Sequence, residues 1–489
     1  MTTTALDVLV VGAGLSGIGA AAEIRRQFPG KSLAILEARE RLGGTWDLFR
    51  YPGIRSDSDM YTLGYRRKPW REPRAIVDGP SILRYVKQMA EESGVSPLIR
   101  YGRRVESADW SNATGEWRVT VSGDDGTREE LRTRFLHLCT GYYSYTQAYR
   151  PQFAGEQDFR GRIVHPQFWP EGLDYTGQRV VVIGSGATAV TLVPALAARA
   201  AHVTQLQRTP SFVVNQPADD PWARVLAGRV PPAMLYMLVR WKHILLSSFF
   251  YRFARRFPRQ FGGHLVALAA AELPRNFDVR KHFKPPYKPW DQRLCAAPDG
   301  DLFRAIREGL VDIVTDTIER FEPDGIRLSS GGLLPADLVI TATGLKVQPL
   351  GDIRIAVDGQ PVDLADTMVY RGAMLSGIPN MVLTFGYSNA SWTLRADLIA
   401  AYVCRLLRHL DRHGFDYAVP VRDSSVGDMP FIDFNSGYVL RALERLPKQG
   451  DRFPWRVHQT YLRDLGVTRF SRLADPALKF GRAGGRVLD

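Results

Sequence analysis

Two glycine-rich loops, each between an apolar strand and a helix, constrain this chain more than any other feature. The first follows the nearly continuous apolar run Asp7 to Gly12, typical of a strand buried on both faces of a parallel sheet. The loop reads Gly12-x-Gly14-x-x-Gly17 and opens an Ala-rich helix. Its glycines permit a tight turn, let the backbone approach a pyrophosphate, and let the helix pack on the strand. The loop therefore predicts a dinucleotide site at the helix N-terminus.

The end of the next predicted strand indicates which dinucleotide binds at the first loop. The strand Ser32 to Leu36 is followed by Glu37, twenty residues beyond Gly17. An acid at this spacing binds a ribose 2′-hydroxyl and disfavours a 2′-phosphate, so FAD or NAD is expected. The alternative for Glu37 is a surface carboxylate at the end of a strand.

The second loop, Gly184-Ser185-Gly186-x-Thr188-Ala189, follows the apolar strand Arg179 to Ile183 and has Ala in the third glycine position. Its next predicted strand, His202 to Gln207, ends in Arg208-Thr209, nineteen residues beyond Ala189, instead of in an acid. A guanidinium there pairs with a 2′-phosphate, which favours NADPH over NADH. The alternative is that Arg208 only covers the end of the strand with its aliphatic stem.

Composition narrows the class of protein and its compartment. A chain of 489 residues is too long for one core, so two or three domains are expected. The net charge of +13 is spread along the chain, and only ten of the 64 basic residues are lysine, so nucleic-acid binding is not expected. Three scattered cysteines without CxxC spacing, and an N-terminus from Met1 to Leu6 without a cationic region, predict a cytoplasmic protein.

Two further motifs carry a family resemblance. The first is Gly43-Gly44-x-Trp46 followed by Tyr51-Pro52-Gly53-x-x-x-Asp57, and the second is Phe159-x-Gly161-x-x-x-His165-x-x-x-Trp169-Pro170. Together they resemble the fingerprints of type I Baeyer–Villiger monooxygenases, which are class B flavoprotein monooxygenases. The stretches Gly43 to Trp70 and Pro286 to Arg304 are most similar to the ethionamide-activating subgroup of that family.

The resemblance implies an activity and assigns roles. FAD binds at the first loop and NADPH at the second, and a hydride passes from nicotinamide to flavin. Molecular oxygen then adds to flavin C4a, and the peroxyflavin converts a small hydrophobic ketone to an ester or lactone, or oxidises a sulfide or thioamide. Asp57 is expected near the flavin ring, and Arg293 matches the essential arginine of the family. Gln292 stands where the family often has Lys, which weakens the expected preference for NADPH.

Other functions stay open beside this one. A disulfide reductase of similar layout needs a redox-active cysteine pair after the first loop, and the sequence has none. A heteroatom oxygenase of the flavin-containing type shares every cofactor feature and makes no ester, although Trp169 and Asp57 favour the Baeyer–Villiger family. A flavin-binding protein without turnover is the remaining alternative.

The order of the motifs predicts an α/β fold with two interwoven Rossmann-like domains. Thr140-Gly141 and Thr343-Gly344 resemble the points where such flavoproteins cross between domains. The expected FAD domain therefore comprises residues 1–143 and 344–489, and the NADP domain comprises residues 144–215 and 291–343.

Residues 216–290 are expected to form a helical insert within the NADP domain. Its predicted helix Met234 to Phe253 is too often interrupted by charge to span a bilayer. This helix is expected to wall an apolar pocket, with weak contact to a membrane surface as the alternative. His409 and His413 have metal-ligand spacing, but they precede Gly414 without a third ligand and are predicted to end a helix.

Overall fold

Two sheets, each with a parallel core that begins at one glycine-rich loop, organise the fold. The structure is a computed structural model that describes residues 5–432, 436–485 and 487–488. Residues 1–4, which enter the prediction of a cytoplasmic protein, lie outside the described residues. In the first sheet the strand Leu6–Val11 lies parallel to Leu33–Leu36 on one side and to Arg128–Leu138 on the other. Burial between two neighbours explains why the sequence of Leu6–Val11 is continuously apolar.

Among the described residues, the first sheet has nine strands and is mixed, because antiparallel strands extend it beyond Arg128–Leu138. Met381–Leu383 pairs in parallel with Arg128–Leu138, so residues beyond 344 return to the first sheet. In spatial order the other eight strands are Gln360–Pro361, Arg354–Val357, Arg103–Ser111, Glu116–Gly123, Arg128–Leu138, Leu6–Val11, Leu33–Leu36 and Ile99–Arg100.

In the part of the chain that the structure describes, the second sheet has five strands, and all of its pairs are parallel. In spatial order they are Val311–Thr315, His202–Gln207, Arg179–Ile183, Leu338–Thr341 and Arg162–Val164. The predicted fold class, α/β with two Rossmann-like units, is confirmed by these two sheets and by the helices that follow their glycine-rich loops.

The remaining strands form small sheets, and the helices cover the two main ones. The small sheets are Val213–Gln216 with Cys295–Pro298; Ile318–Glu322, Gly325–Leu328 and Leu333–Pro335; Tyr143–Ala148 with Leu345–Val347; Val369–Tyr370 with Met374–Leu375; Tyr417–Pro420, Leu478–Gly481 and Val487–Leu488; and Asp428–Pro430 with Lys448–Gly450. The α-helices are Leu15–Gln27, Thr45–Leu48, Met60–Leu63, Gly79–Glu92, Ala187–Ala197, Pro221–Leu226, Pro232–Arg256, Pro258–Ala271, Val279–Phe283, Asp301–Arg307, Trp392–His413, Gly437–Leu440 and Tyr461–Leu465.

One stretch contains more strands than its sequence pattern indicates. The apolar pattern from Ile326 to Ala342 indicates two strands, and the structure has three there. Leu333–Pro335 turns back on Gly325–Leu328 as an antiparallel pair, whereas Leu338–Thr341 enters the second sheet. The apolar residues therefore belong to two different sheets, which a single hydrophobicity pattern does not distinguish.

The helix Trp392–His413 packs on the first glycine-rich unit. Trp392 Nε1 donates to Ser16 Oγ at 2.8 Å, at the start of the helix Leu15–Gln27. The helix ends at His413 before Gly414, whose φ of 62° is the left-handed conformation that glycine adopts readily. Within the described ranges, no three His, Cys, Asp or Glu side chains are grouped so that they could hold a metal ion.

A buried arginine attaches the insert helix Pro232–Arg256 to the first unit. Arg240 Nη1 donates to the carbonyl oxygens of Tyr61 and Gly64, each at 2.7 Å, and Nη2 lies 3.1 Å from Asp397 Oδ2. Burial raises the pKa of Asp397 to about 6, against the lowering effect of Arg240. This arginine therefore satisfies several buried acceptors at once.

Arg240→Met is expected to reduce the free energy of unfolding by roughly 3 kcal/mol, because it removes the cationic partner of the half-buried Asp397 carboxylate and the donor to two carbonyl oxygens. Urea unfolding of the purified protein measures the change. Arg252→Met, an exposed position on the same helix, is the control and is expected to change stability by less than about 0.5 kcal/mol. Equal stability of the two variants would contradict this role for Arg240.

Candidate active site

The first glycine-rich loop has the geometry of a phosphate cradle. Gly12 has a φ of 101°, and a Cβ there would lie 2.5 Å from the carbonyl oxygen of Cys139. A Cβ on Gly17 would overlap the carbonyl oxygen of Gly12. The helix that follows has Gly14 at its N-cap and no side-chain cap or acidic residue in its first turn. Its N-terminal N–H groups are therefore available to an anionic ligand.

Glu37 is buried at the end of its strand, beside this loop. Its Oε2 accepts from the backbone N–H of Ala13 at 2.8 Å, and Oε1 accepts from that of Arg39 at 3.0 Å. Burial raises the pKa of Glu37, while these two hydrogen bonds and the nearby Arg39 oppose the increase. Each oxygen keeps a second lone pair, so the carboxylate can hold the loop and accept from a ribose hydroxyl.

The second glycine-rich loop repeats this arrangement. Gly184 has a φ of 143°, and a Cβ there would lie 2.5 Å from the carbonyl oxygen of Ala342. Gly186 is the N-cap of Ala187–Ala197, which has no side-chain cap. A Cβ on Gly186 would meet nothing within 4 Å, so its backbone faces open space. Ala189, the third position of the motif, is fully buried between helix and strand.

Arg208 and Thr209 follow the second strand of this unit, as predicted. Arg208 is exposed, and it makes no hydrogen bond or ion pair with the described residues. The carbonyl oxygen of Thr209 accepts from Ser185 Oγ at 2.7 Å, which ties this turn to the glycine-rich loop. The Arg208 guanidinium is therefore available to a ligand that lies over the loop.

The loop Gly44 to Asp57 connects the two units. Gly44, with a φ of 57°, is the N-cap of the short helix Thr45–Leu48. Trp46 packs against the apolar core beside the first sheet. The Tyr51 hydroxyl interacts with Thr188 at the start of the second glycine-rich helix. A Cβ on Gly53 would lie 2.9 Å from the carbonyl oxygen of Thr191, so this loop lies directly against that helix.

Asp57, at the end of this loop, interacts electrostatically with Arg293. Burial raises the pKa of Asp57, and the positive charges of Arg293 and Arg55 lower it in part. The protein around the Arg293 side chain desolvates it in part and lowers its pKa, but Tyr142, Asp57 and Tyr438 raise it, and the net shift is upward. No hydrogen bond or ion pair joins the exposed Arg293 side chain to any residue that the structure describes. The structure therefore places beside Asp57 a cation that is available to a ligand.

The turn before Arg293 holds an unusual backbone conformation. Trp290 has a φ of 69°, a left-handed conformation that is rare for a bulky residue. Its ring packs edge to face on Tyr251 with centroids 5.7 Å apart. Its Nε1–H is buried and has no acceptor among the described residues. Tertiary packing therefore fixes the direction in which the chain enters the strand Cys295–Pro298.

Sequence reasoning did not identify several residues beside Arg293 or Asp57. Tyr142 stacks on Trp392 with ring centroids 5.3 Å apart, and burial raises its pKa. Cys295 is buried, its thiol has a raised pKa, and Sγ lies 3.9 Å from the carbonyl oxygen of Ser185. Arg55 pairs with Asp301. The Thr140-Gly141 motif that precedes Tyr142 was a sequence signal, but it was interpreted only as a domain crossing.

The motif Phe159 to Pro170 lies at the crossing between the units. Phe159 packs on Phe321, and a Cβ on Gly161 would overlap the carbonyl oxygen of Asp337. His165 Nδ1 accepts from the backbone N–H of Gln167 at 3.1 Å. Burial lowers the pKa of His165 to about 4, so the ring is neutral near pH 7. Trp169 packs on the apolar core beside the second sheet, and Pro170 follows it.

Two linker strands meet this motif. Tyr143–Ala148 pairs antiparallel with Leu345–Val347, and Gln167 Nε2 donates to the carbonyl oxygen of Ser144 at 2.8 Å. Gly344 interacts with the ring of His165. The motif therefore contacts both crossings of the chain, which explains its position between the two glycine-rich loops.

Comparisons with known proteins agree with this architecture. A model of the NAD(P)-binding Rossmann-like domain matches residues 10–66, and a model of the flavin-binding monooxygenase-like family matches residues 73–251. The chain is similar to a crystal structure of OTEMO in complex with FAD and NADP, with a TM-score of 0.71 and 24% identity over 86% of this chain and 88% of that one. This likeness concerns the fold.

The fold and the site define a flavin-dependent monooxygenase with two dinucleotide-binding units. The chain is 55% identical to the FAD-containing monooxygenase EthA of Mycobacterium tuberculosis, over 98% of both chains. It is 46% identical to the putative FAD-containing monooxygenase MymA of the same species, again over 98% of both chains. The chain belongs to the FAD-containing monooxygenase family that includes EthA, and the resemblance inferred from its motifs is confirmed.

Proposed function

We propose that this protein is an NADPH- and O2-dependent flavoprotein monooxygenase that converts small apolar ketones to esters or lactones and also oxidises sulfides or thioamides. The observation that carries the proposal is Arg293, which has no hydrogen bond or ion pair with the described residues and lies beside the half-buried carboxyl of Asp57. Oxygen insertion beside a carbonyl needs an anionic oxygen nucleophile, and such an anion needs a fixed cation.

The residues of the two loops fit the cofactors. Gly12, Gly14 and Gly17 would hold the FAD pyrophosphate with Glu37 on its ribose, and Gly44, Trp46 and Asp57 would border the flavin. Gly184, Ser185, Gly186, Thr188 and Ala189 would hold NADPH, with Arg208 and Thr209 beside its 2′-phosphate. When bound, reduced FAD supplies the electrons that activate oxygen.

The protein would contribute the placement of the reacting groups and a fixed positive charge. Arg293 would stabilise the negative charge on the oxygen nucleophile, since a guanidinium stays protonated at any working pH. Asp57 would orient the guanidinium fork, and the stacked ring of Tyr142 would help to exclude water from the same space. Neutral His165 would keep the two linker strands in register instead of reacting.

We further propose that the domain boundaries expected from the motifs apply. Residues 1–143 and 344–489 would form the FAD domain, and residues 144–215 and 291–343 the NADP domain, with the helical insert between its two parts. The return of Met381–Leu383 to the first sheet supports this division. Residues 433–435, 486 and 489 of the second FAD segment lie outside the described residues.

A screen of ketones and sulfides tests the proposed reaction. Purified holoenzyme is incubated with NADPH, air, and linear, cyclic and aromatic ketones beside matched sulfides, while hydrogen peroxide is measured in parallel. We expect ester or lactone from at least one ketone, with NADPH consumption coupled to product. Sulfoxide without any ester would instead favour a heteroatom oxygenase, and NADPH consumption that yields only peroxide would contradict both.

Arg208→Ala is expected to raise the KM for NADPH about tenfold, because it removes a charge-assisted hydrogen bond to the 2′-phosphate. The KM for NADH, which lacks this phosphate, should change little. Steady-state kinetics with both coenzymes measures the difference. Arg160→Ala, which removes an exposed cation paired with Asp324, is the control. Equal losses for NADPH and NADH would show that Arg208 does not recognise the phosphate.

A further inference from the structure

The insert helix Pro232–Arg256 has an apolar face that points away from the protein. Leu245, Leu246, Phe249, Phe250 and Phe253 and the following residue Phe257 are between 38% and 60% exposed. We call these six residues the outer apolar surface. Phe249 stacks on Phe253 with ring centroids 6.1 Å apart, and Phe253 lies 5.3 Å from Phe257. The rings therefore form a continuous row along the outside of the helix.

The contacts of the helix show that this row lies at the edge of the core, where Phe250 and Phe253 touch the buried ring of Phe261. Ile244 packs with Tyr387 and Leu394, Tyr251 packs on Trp290, and Ala254 belongs to the cluster around Phe212. These residues lie on the side of the helix opposite Leu245 and Phe249, given 100° of rotation per residue. The face toward the Arg293 segment is thus already packed, and the outer apolar surface faces outward. A contiguous exposed patch of this kind marks an interaction site.

The charge of the surrounding segment indicates what covers this surface. From Pro221 to Ala271 the chain contains no Asp or Glu, but it contains eight Lys or Arg residues, three of which pair with acids outside this segment. Arg252, Arg256 and Arg259 are exposed beside the row of phenylalanines. Apolar rings flanked by arginines suit a surface that offers acyl chains beside negative headgroups. Two copies of this chain would instead bring arginines together without an acid from this segment to pair with them.

We propose that the outer apolar surface docks this protein on a membrane that contains anionic lipid. The helix Pro232–Arg256 would lie in the plane of the interface, with its phenylalanines inserted below the headgroups and its arginines at the phosphates. No helix in the described part of the chain has the length and apolarity needed to cross a bilayer. The attachment is therefore peripheral, and its strength depends on both the rings and the arginines.

Vesicle flotation of the holoenzyme tests this proposal. Vesicles of phosphatidylcholine with phosphatidylglycerol are compared with pure phosphatidylcholine, at low and at high salt. We expect binding to the anionic vesicles that weakens at high salt. Phe249→Ser with Phe253→Ser should lower the bound fraction at least about fivefold. Phe470→Ser removes a 78% exposed phenylalanine outside this surface and should leave binding unchanged.

Bound FAD, measured by absorbance, confirms that each variant is folded, and sedimentation velocity gives its mass. Failure of the parent protein to bind anionic vesicles would overturn the proposal. Binding that survives the double Phe substitution would overturn it as well, whatever the dependence on salt. A parent that does not bind vesicles, and whose mass halves when the two rings are replaced, would assign the surface to a second copy of this chain.

Discussion

Arg293→Ala is expected to lower the kcat for ester formation by at least about a hundredfold, as the loss of a fixed charge at a developing anion does elsewhere. Reduction of the flavin by NADPH should remain measurable, because Arg293 is assigned to the oxygen step and not to the coenzyme phosphate. If the oxygen nucleophile is not stabilised, the reduced oxygen should be released as hydrogen peroxide. Stopped-flow reduction, ester yield and peroxide release, measured on one preparation, separate these effects.

Two further variants sharpen this prediction. Arg293→Lys keeps the charge but loses the planar fork, so we expect partial ester formation, between that of the parent and that of Arg293→Ala. Arg252→Ala removes an exposed arginine from the outer face of the insert helix and should leave ester formation unchanged in a lipid-free assay. Normal ester yield from Arg293→Ala would assign the stabilisation of the anion to another group.

Gly17→Ala is expected to yield protein without bound FAD. A Cβ at this position overlaps the carbonyl oxygen of Gly12, and backbone atoms cannot move aside as a flexible side chain can. The helix Leu15–Gln27 would be displaced from the strand Leu6–Val11, and the cradle between them would open. The ratio of flavin absorbance to protein absorbance after purification measures the loss.

Gly186→Ala is the matched control for Gly17→Ala. It makes the same substitution in the other glycine-rich loop, where a Cβ meets nothing within 4 Å and φ is −80°. This variant should keep a full complement of FAD, although its affinity for NADPH is free to change. Stoichiometric FAD in Gly17→Ala would contradict the assignment of the first loop, and loss of FAD in both variants would indicate a general effect on folding.

Features that lie close together in sequence were predictable. The loops at Gly12 and Gly184 are each defined within about thirty residues of strand, turn and helix, because the phosphate-binding backbone is local. Both loops have the left-handed or crowded glycines that the motif requires. The insert helix was also predicted, and the structure extends it to Pro232–Arg256.

Features that depend on tertiary contacts were not predictable. Tyr142 lies 151 residues before Arg293, and only the fold brings their charges together. The backbone of Trp290, with its φ of 69°, is held by packing that no local pattern reveals. The outward orientation of the Phe249 side chain was not predictable either, because an apolar helix pattern is typical both of a pocket wall and of an exposed face.

Labelled oxygen tests the central claim most directly. Holoenzyme, NADPH and a ketone from the screen are incubated under ¹⁸O₂, and the product is analysed by mass spectrometry. A monooxygenase that uses Arg293 as proposed should give an ester with one ¹⁸O atom in its ring or chain, with about one NADPH oxidised per ester. NADPH oxidation without label in any organic product, across the ketones and sulfides, would contradict the account.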